Sequence, residues 1–253
     1  VKCSMRVLAV LLVFSACFGA WPEGHPEGKA ADIKAVLVTG GHGFDKRVVL
    51  PFFKGLEGID VVQAQQRDHS ELFEDIADWP YDVIVLYNMT REISAKRQKN
   101  FIELLDKGVG VVALHHSMGA FPYWSEYPKI IGVKYYSERY IKGGVEHAPC
   151  TYQHDVDFTM HVEDPDHPIM RGLSDFEVHD ETYKGSDFEP DNHVLLTTDH
   201  PASDKFVAWV RTYRNAKVCT IQMGHGPQIF THDAYRRLVT QAIRFCAGKG
   251  NAE

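Results

Sequence analysis

Gly108-Val109-Gly110-Val111-Val112-Ala113-Leu114-His115-His116-Ser117-Met118-Gly119-Ala120-Phe121 is the stretch whose reading decides the fold. Val109 to Leu114 is an almost unbroken apolar run rich in β-branched residues, which suits a strand buried on both faces of a parallel sheet. It stops abruptly at two imidazoles. In open α/β sheets ligands bind beyond the carboxyl ends of the strands, so His115, His116 and Ser117 stand where chemistry is normally built. An adjacent histidine pair also suits a purely structural role, with one ring packed and one solvated.

Working outward, Ala35 to Thr39 is a second buried strand, and Gly40-Gly41-His42-Gly43-Phe44-Asp45 is the flexible turn before a helix through Val49, Phe52, Phe53 and Leu56. That turn lacks the spacing of either nucleotide fingerprint and carries a histidine where backbone alone would suffice, so it is read as a second wall of the site. Asp60 to Ala64 and Tyr81 to Tyr87 are further strands. Ser70 is read as the cap of a helix through Leu72, Phe73 and Ile76, and Ser94 as the start of one through Phe101, Ile102 and Leu105 that ends at Gly108. Strands alternating with helices predict a flavodoxin-like, doubly wound α/β fold with a mainly parallel sheet. Right-handed crossovers then bring the turns after Thr39, Leu86 and Leu114 to one edge.

After Phe121 the pattern changes to an aromatic, loop-rich stretch and then to alternation at Phe158, Met160 and Val162, as expected of an antiparallel insertion. Its aromatics suit either a sugar platform or a satellite core; Trp124, with Phe44 and Tyr183, is read as contacting substrate. Val194 to Thr197, Phe206 to Val210 and Lys217 to Gln222 are strands, the last running into Met223-Gly224-His225-Gly226. A helix from Asp233 buries Leu238, Val239, Ala242, Ile243 and Cys246 at helical spacing and stops at Gly248.

Residues 1–20 read as a signal peptide: Lys2 and Arg6 form a basic region, Val7 to Phe14 an apolar one, and Ser15, Ala16, Gly19 and Ala20 the small residues before cleavage. Phe14-Ser15-Ala16-Cys17 resembles a lipoprotein box, which would lipidate Cys17; otherwise no membrane association is expected. Export, with the periplasm as destination, follows from this leader as an expectation. Residues 21–32, with Pro22, Gly24, Pro26 and Gly28, read as a linker, and 33–248 as one domain. The net charge is −7, and without the leader 25 basic residues face 34 acidic ones. This balance leaves no electrostatic footprint for nucleic acid. Cys150, Cys219 and Cys246 are odd in number and widely spaced, so no disulfide framework is expected.

Four strand-terminal segments carry polar chemistry: His42, His115-His116-Ser117, His179-Asp180-Glu181 and His225. Imidazoles and a carboxylate suit a divalent metal such as zinc, held by His42, His116, Glu181 and His225, although no compact ligand motif is present. The same groups suit metal-free acid/base work, with His116, Glu181 and His115 catalytic. His115-His116-Ser117-Met118-Gly119 is also a degenerate nucleophile elbow, which would make Ser117 the nucleophile of a hydrolase.

Seven segments in this order resemble the ThuA-like (trehalose-utilisation) family over residues 33 to 247: Gly40-Gly41-His42-Gly43-Phe44, Val111 to Ser117, His167 to Leu173, His179 to Tyr183, Val194 to Pro201, Ala208 to Tyr213 and Gln222 to Gly226. The resemblance implies the fold of class I glutamine amidotransferases. Those enzymes place a nucleophilic cysteine at the strand-to-helix elbow; the corresponding position here looks like His116, which argues against glutaminase chemistry. The resemblance further implies sugar metabolism, notably the handling of disaccharides and their 3-keto derivatives; the expectation built on it is a small carbohydrate substrate, a glycoside cleaved by metal- or His/Glu-assisted elimination or hydrolysis. A non-catalytic carbohydrate-binding protein is the alternative.

Overall fold

The computed structural model describes residues 33–67 and 69–249, so the leader, the Cys17 site and the linker lie outside the described residues. In chain order the elements are β1 (Ile33–Gly40), α1 (Lys46–Lys54), β2 (Ile59–Gln65), β3 (Val83–Asn88), α2 (Ala95–Asp106), β4 (Gly110–Leu114), α3 (Tyr127–Ile131), β5 (Val133–Lys134), β6 (Tyr140–Lys142), β7 (Val145–His147), β8 (Thr151–Val162), β9 (Phe176–Lys184), β10 (Asp187–Phe188), β11 (His193–Thr197), β12 (Phe206–Tyr213), β13 (Ala216–Ile221) and α4 (Asp233–Cys246).

One sheet of nine strands organises them in the order β2-β1-β3-β4-β13-β12-β11-β8-β9. The first five run parallel, and the remaining pairings are antiparallel. The α/β, flavodoxin-like reading therefore holds. The antiparallel part extends the same sheet through the β8–β9 ribbon, and the aromatic-rich stretch adds two small ribbons, β5–β10 and β6–β7.

Every residue of β3 and β4 is buried, which explains why their sequences are apolar throughout. Alternate side chains enter two cores. Leu37, Val112 and Leu114 pack on one face with α1 and α4, whereas Val36, Val111 and Ala113 pack on the other with α2 and α3. Gly110 is obligatory where α4 crosses β4, because a Cβ there would lie 2.1 Å from the Cys246 carbonyl oxygen.

Helix starts follow capping chemistry. The Asp45 carboxylate accepts the Arg47 N–H (2.9 Å), and the Ser94 hydroxyl accepts that of Arg97. Ser70 differs from expectation: only one tight turn, Glu71–Phe73, forms there. Ser70 adopts φ 59°, and its Oγ donates to the Glu92 carbonyl instead of capping a helix. The Asp75 carboxylate accepts the Ala77 N–H, a local turn that competes with helix continuation through Ile76.

Cys150, Cys219 and Cys246 are free and buried. Burial pushes the thiols of Cys219 and Cys246 far up, so neither supplies a thiolate at neutral pH. A Cys150→Ala/Cys219→Ala/Cys246→Ala protein is expected to lose some stability in denaturant but to keep its turnover per folded molecule. Abolished turnover in the folded triple variant would show that the chemistry uses a thiol.

Candidate active site

The end of β4 sets the geometry. His115 follows the strand with φ 50°, and the chain then enters a tight turn from His115 to Gly119. A positive φ in a residue with a Cβ is strained, and it is the backbone signature of a strand-to-helix elbow. The elbow is thus His115, one residue earlier than the His116 that the sequence pattern suggests.

What holds His115 there is the neighbouring strand. The Gln222 carbonyl, just past β13, lies 2.8 Å from Nδ1 and can only accept, so Nδ1 carries the proton. Nε2 is thereby aimed at Glu181 Oε2 (2.9 Å), His225 Nδ1 (3.2 Å) and the Tyr183 hydroxyl (3.1 Å). The His115 ring is fully buried and stacks on Tyr183 with centroids 5.0 Å apart.

Glu181 comes from β9, the far edge of the sheet, separated from β13 by three strands. Its contact with His115 requires the antiparallel half of the sheet to curl back over the carboxyl ends of the parallel half. Asp180 fixes this closure. Its carboxylate accepts the backbone N–H groups of Gly224 (2.6 Å), His225 (3.0 Å) and Gly226 (2.8 Å). Successive amides converging on one anion form a nest, here filled by the protein's own side chain. Asp180 and Glu181, pointing to opposite faces of the strand, do separate work: one holds the His225 loop and the other enters the site.

A bulge adds a group that pattern reading misses. Between Gln153 and Val156 the β8–β9 register shifts, so His154 and Asp155 together oppose Glu181, with Asp155 at φ 54°. The bulge brings His154 Nδ1 to 3.2 Å from Glu181 Oε1, with its ring 4.5 Å from that of His225. The signal in the sequence is the polar run Gln153-His154-Asp155, which breaks the alternation resumed at Val156, Phe158 and Met160.

The other wall is a stacked imidazole pair. His42 and His116 lie 4.4 Å apart between centroids. The loop that carries His42 crosses the end of β3 so closely that a Cβ on Gly41 would sit 2.4 Å from the Met89 carbonyl carbon. His116 is 3 % exposed, and neither ring nitrogen makes a hydrogen bond of normal geometry among the described residues. Burial, with His115 and His42 nearby, holds its pKa well below the ordinary value, and the Tyr87 backbone only partly opposes this. His42 is lowered too, chiefly by burial.

The two histidine walls therefore differ in charge. Burial by itself raises the Glu181 carboxyl, but hydrogen bonds from His115 and His225 outweigh it and hold the group far below the usual carboxylate range. The same hydrogen bond raises His225. Burial and the Glu181 charge push Tyr183 well above its ordinary value. Between the walls lies a hollow of about 260 Å³, lined by His42, His116, His154, Glu181, Tyr183 and His225 among others.

Of the residues expected at the site, His42, His115, His116, Glu181, His225 and Tyr183 meet here. Phe44 instead packs edge-on against Tyr87 (5.4 Å) and does not line the hollow. Trp124 is 7 % exposed among Phe101, Phe121 and Tyr127 and borders a different hollow. His179 faces outward, 2.7 Å from Asp157. Ser117 is fully buried and does not line the hollow, which speaks against the serine-nucleophile reading.

The donor set that fits a metal also differs from expectation. His115 Nε2, Glu181 Oε2 and His225 Nδ1 are mutually 2.9, 3.2 and 3.2 Å apart. Donors around a tetrahedral zinc with bonds of about 2.1 Å are spaced by roughly 3.4 Å. His115 replaces His116 in this set, and His42 lies outside it. The Gln222 carbonyl on His115 Nδ1 is the outer contact that orients a ligating imidazole. The residues therefore fit a divalent ion with one position left open.

Fold and elbow together define an α/β protein with a doubly wound, mainly parallel sheet and a buried histidine at the strand-to-helix turn that follows β4. The chain belongs to the ThuA family, described as trehalose utilisation, whose model matches residues 19–246. Among solved structures it is similar to a ThuA-like protein of Parabacteroides merdae (19% identity, TM-score 0.71, covering 87% of this chain and 92% of that one). A ThuA-like protein of Bacteroides uniformis is also similar (19% identity, TM-score 0.62, 92% and 97%). A cytoplasmic protein, STM3548, of Salmonella typhimurium shares the fold more distantly (16% identity, TM-score 0.56, 83% and 98%). No curated protein matches the chain.

Proposed function

We propose that this chain is an exported sugar-processing enzyme that cleaves oxidised glycosides, the class represented by 3-keto-disaccharides. The observation that carries the reading is that a buried His116, whose pKa burial lowers, faces the Glu181–His225 pair across one small hollow. Environments that push titratable groups in opposite directions separate the base from the acid. The family's description as trehalose utilisation supports a sugar substrate.

A ketone at C3 acidifies the C2–H bond. His116 takes that proton, and the electron pair of the C–H bond becomes the C1–C2 double bond as the glycosidic C1–O bond breaks. The departing oxygen collects a proton, for which His154 lines the same hollow. Charge that builds on the C3 oxygen meets His225, whose pKa the Glu181 carboxylate raises. A divalent ion held by His115, Glu181 and His225 would supply Lewis acidity at the same place.

Purified protein, with and without added zinc, should convert a 3-keto-disaccharide to monosaccharide products detectable by chromatography. Folded, zinc-supplemented protein that leaves every 3-keto-glycoside intact would remove the proposal. The donor set is checked separately by calorimetric zinc titration. His115→Ala should abolish stoichiometric binding, while His116→Ala should bind zinc normally and lose turnover.

A further inference from the structure

We propose that the catalytic hollow continues into a groove that holds the sugar of the leaving group, with Tyr123 as its stacking platform and Arg91 as a hydroxyl-binding partner. The inference rests on the glycoside reading above and adds a second subsite to it.

The first observation is size. At about 260 Å³ the hollow is below the range of roughly 300–1,000 Å³ that encloses drug-sized ligands, so it takes one sugar ring and leaves the second outside. The second is continuity. Met89 lines both this hollow and a larger one of about 590 Å³, which begins at Gly41, next to His42, and runs past Arg91 and Tyr123. His69, Arg91, Glu92 and Tyr123 then border a third hollow of about 440 Å³ with Trp124. The three share walls in series, first Met89 and then Arg91 and Tyr123, and the proposed groove follows these shared walls away from His42 and His116.

The third observation is a presented aromatic. Tyr123 is 70% exposed, while the next residue, Trp124, is buried. The Tyr123 ring is nevertheless fixed: Arg91 Nη2 donates to its hydroxyl (2.7 Å) and to Glu138 (2.6 Å), and the guanidinium carbon lies 5.4 Å from the ring centroid. A held, exposed aromatic face offers stacking area at little entropy cost. Arg91 Nε and Nη1 make no hydrogen bond among the described residues and can donate to sugar hydroxyls. Glu92, bridged to His69 (3.3 Å), supplies acceptors beside them.

The test compares 3-ketotrehalose with methyl 3-keto-α-glucoside, which lacks the second ring, on the full chain and on Tyr123→Ala, Tyr123→Phe and Arg91→Met. Binding is read by stopped-flow tryptophan fluorescence and turnover by product release. Tyr123→Ala should weaken the disaccharide about tenfold and the methyl glycoside less than about twofold, with Tyr123→Phe retaining most of the affinity. Arg91→Met should weaken only the disaccharide. Equal losses for both sugars, or no loss for the disaccharide, would overturn the groove. Disaccharide binding with the expected pattern but no cleavage sinks the catalytic reading and leaves the groove standing. Cleavage that ignores Tyr123 does the reverse, and a folded protein that binds neither sugar removes both. Dependence on Tyr123 seen only with an aryl glycoside would assign the platform to an aromatic leaving group and overturn the sugar subsite.

Discussion

Glu181→Gln is expected to lower kcat/KM on a 3-keto-disaccharide by about a thousandfold, within the range of roughly 10²–10⁴ for a group acting in proton transfer or charge stabilisation. The substitution keeps size and removes one charge. His225 then loses the carboxylate that raises its pKa, so less of it is protonated at neutral pH. His115 Nε2 loses its 2.9 Å partner, and the three-donor set for a cation loses its only anion. His115→Ala should cost about as much, and the double variant little more than either alone, because the two side chains meet at one point and act as a unit. His116 touches neither carboxylate oxygen, so its coupling to Glu181 runs only through a substrate that both contact. Thermal melts are the check that Glu181→Gln is folded; multiplicative losses in the His115/Glu181 double variant would show independent roles.

The parallel half of the fold is legible because its strands are buried on both faces and their composition says so: Val83 to Asn88 and Gly110 to Leu114 read as strands without help. Crossover handedness then places His42, His116 and His225 at one edge. The position of the elbow is less legible. Whether His115 or His116 takes φ 50° is a one-residue question of turn geometry, invisible to hydrophobic periodicity. That choice decides the metal set, because it turns His115 toward Glu181 and His116 toward His42.

Long-range closure is harder still. Nothing local in His179-Asp180-Glu181 says that β9 returns from the far edge of the sheet to meet the loop after β13; the family resemblance alone kept the segment near the site. His154 reaches Glu181 only through a bulge whose αL residue is Asp155, and an aspartate in that role looks like any surface polar residue. Aromatic density after Phe121 likewise carries no face. Tyr123 and Trp124 are adjacent, yet one is presented to solvent and the other packs on Phe101. Stacking chemistry therefore passes from the expected tryptophan to its neighbour.

Asp180→Ala is expected to destabilise the fold by about 3 kcal/mol or more, a large loss for a single site. Asp180 is 2% exposed, and its carboxylate accepts three consecutive backbone amides, those of Gly224, His225 and Gly226. Alanine leaves these donors without their acceptor, at about 1–3 kcal/mol for each one that water does not reach. Asp180→Asn should be intermediate in shape but still costly: one amide oxygen can accept, while the NH2 group replacing the other oxygen faces donors. The loss is not confined to stability. The nest is what positions His225 beside Glu181 and ties the curled edge of the sheet to β13, so zinc binding and turnover should fall even at temperatures where the variant stays folded. Denaturant melts combined with zinc titration separate these effects. A variant as stable as the parent, with zinc affinity intact, would mean that the loop after β13 holds its shape without the carboxylate.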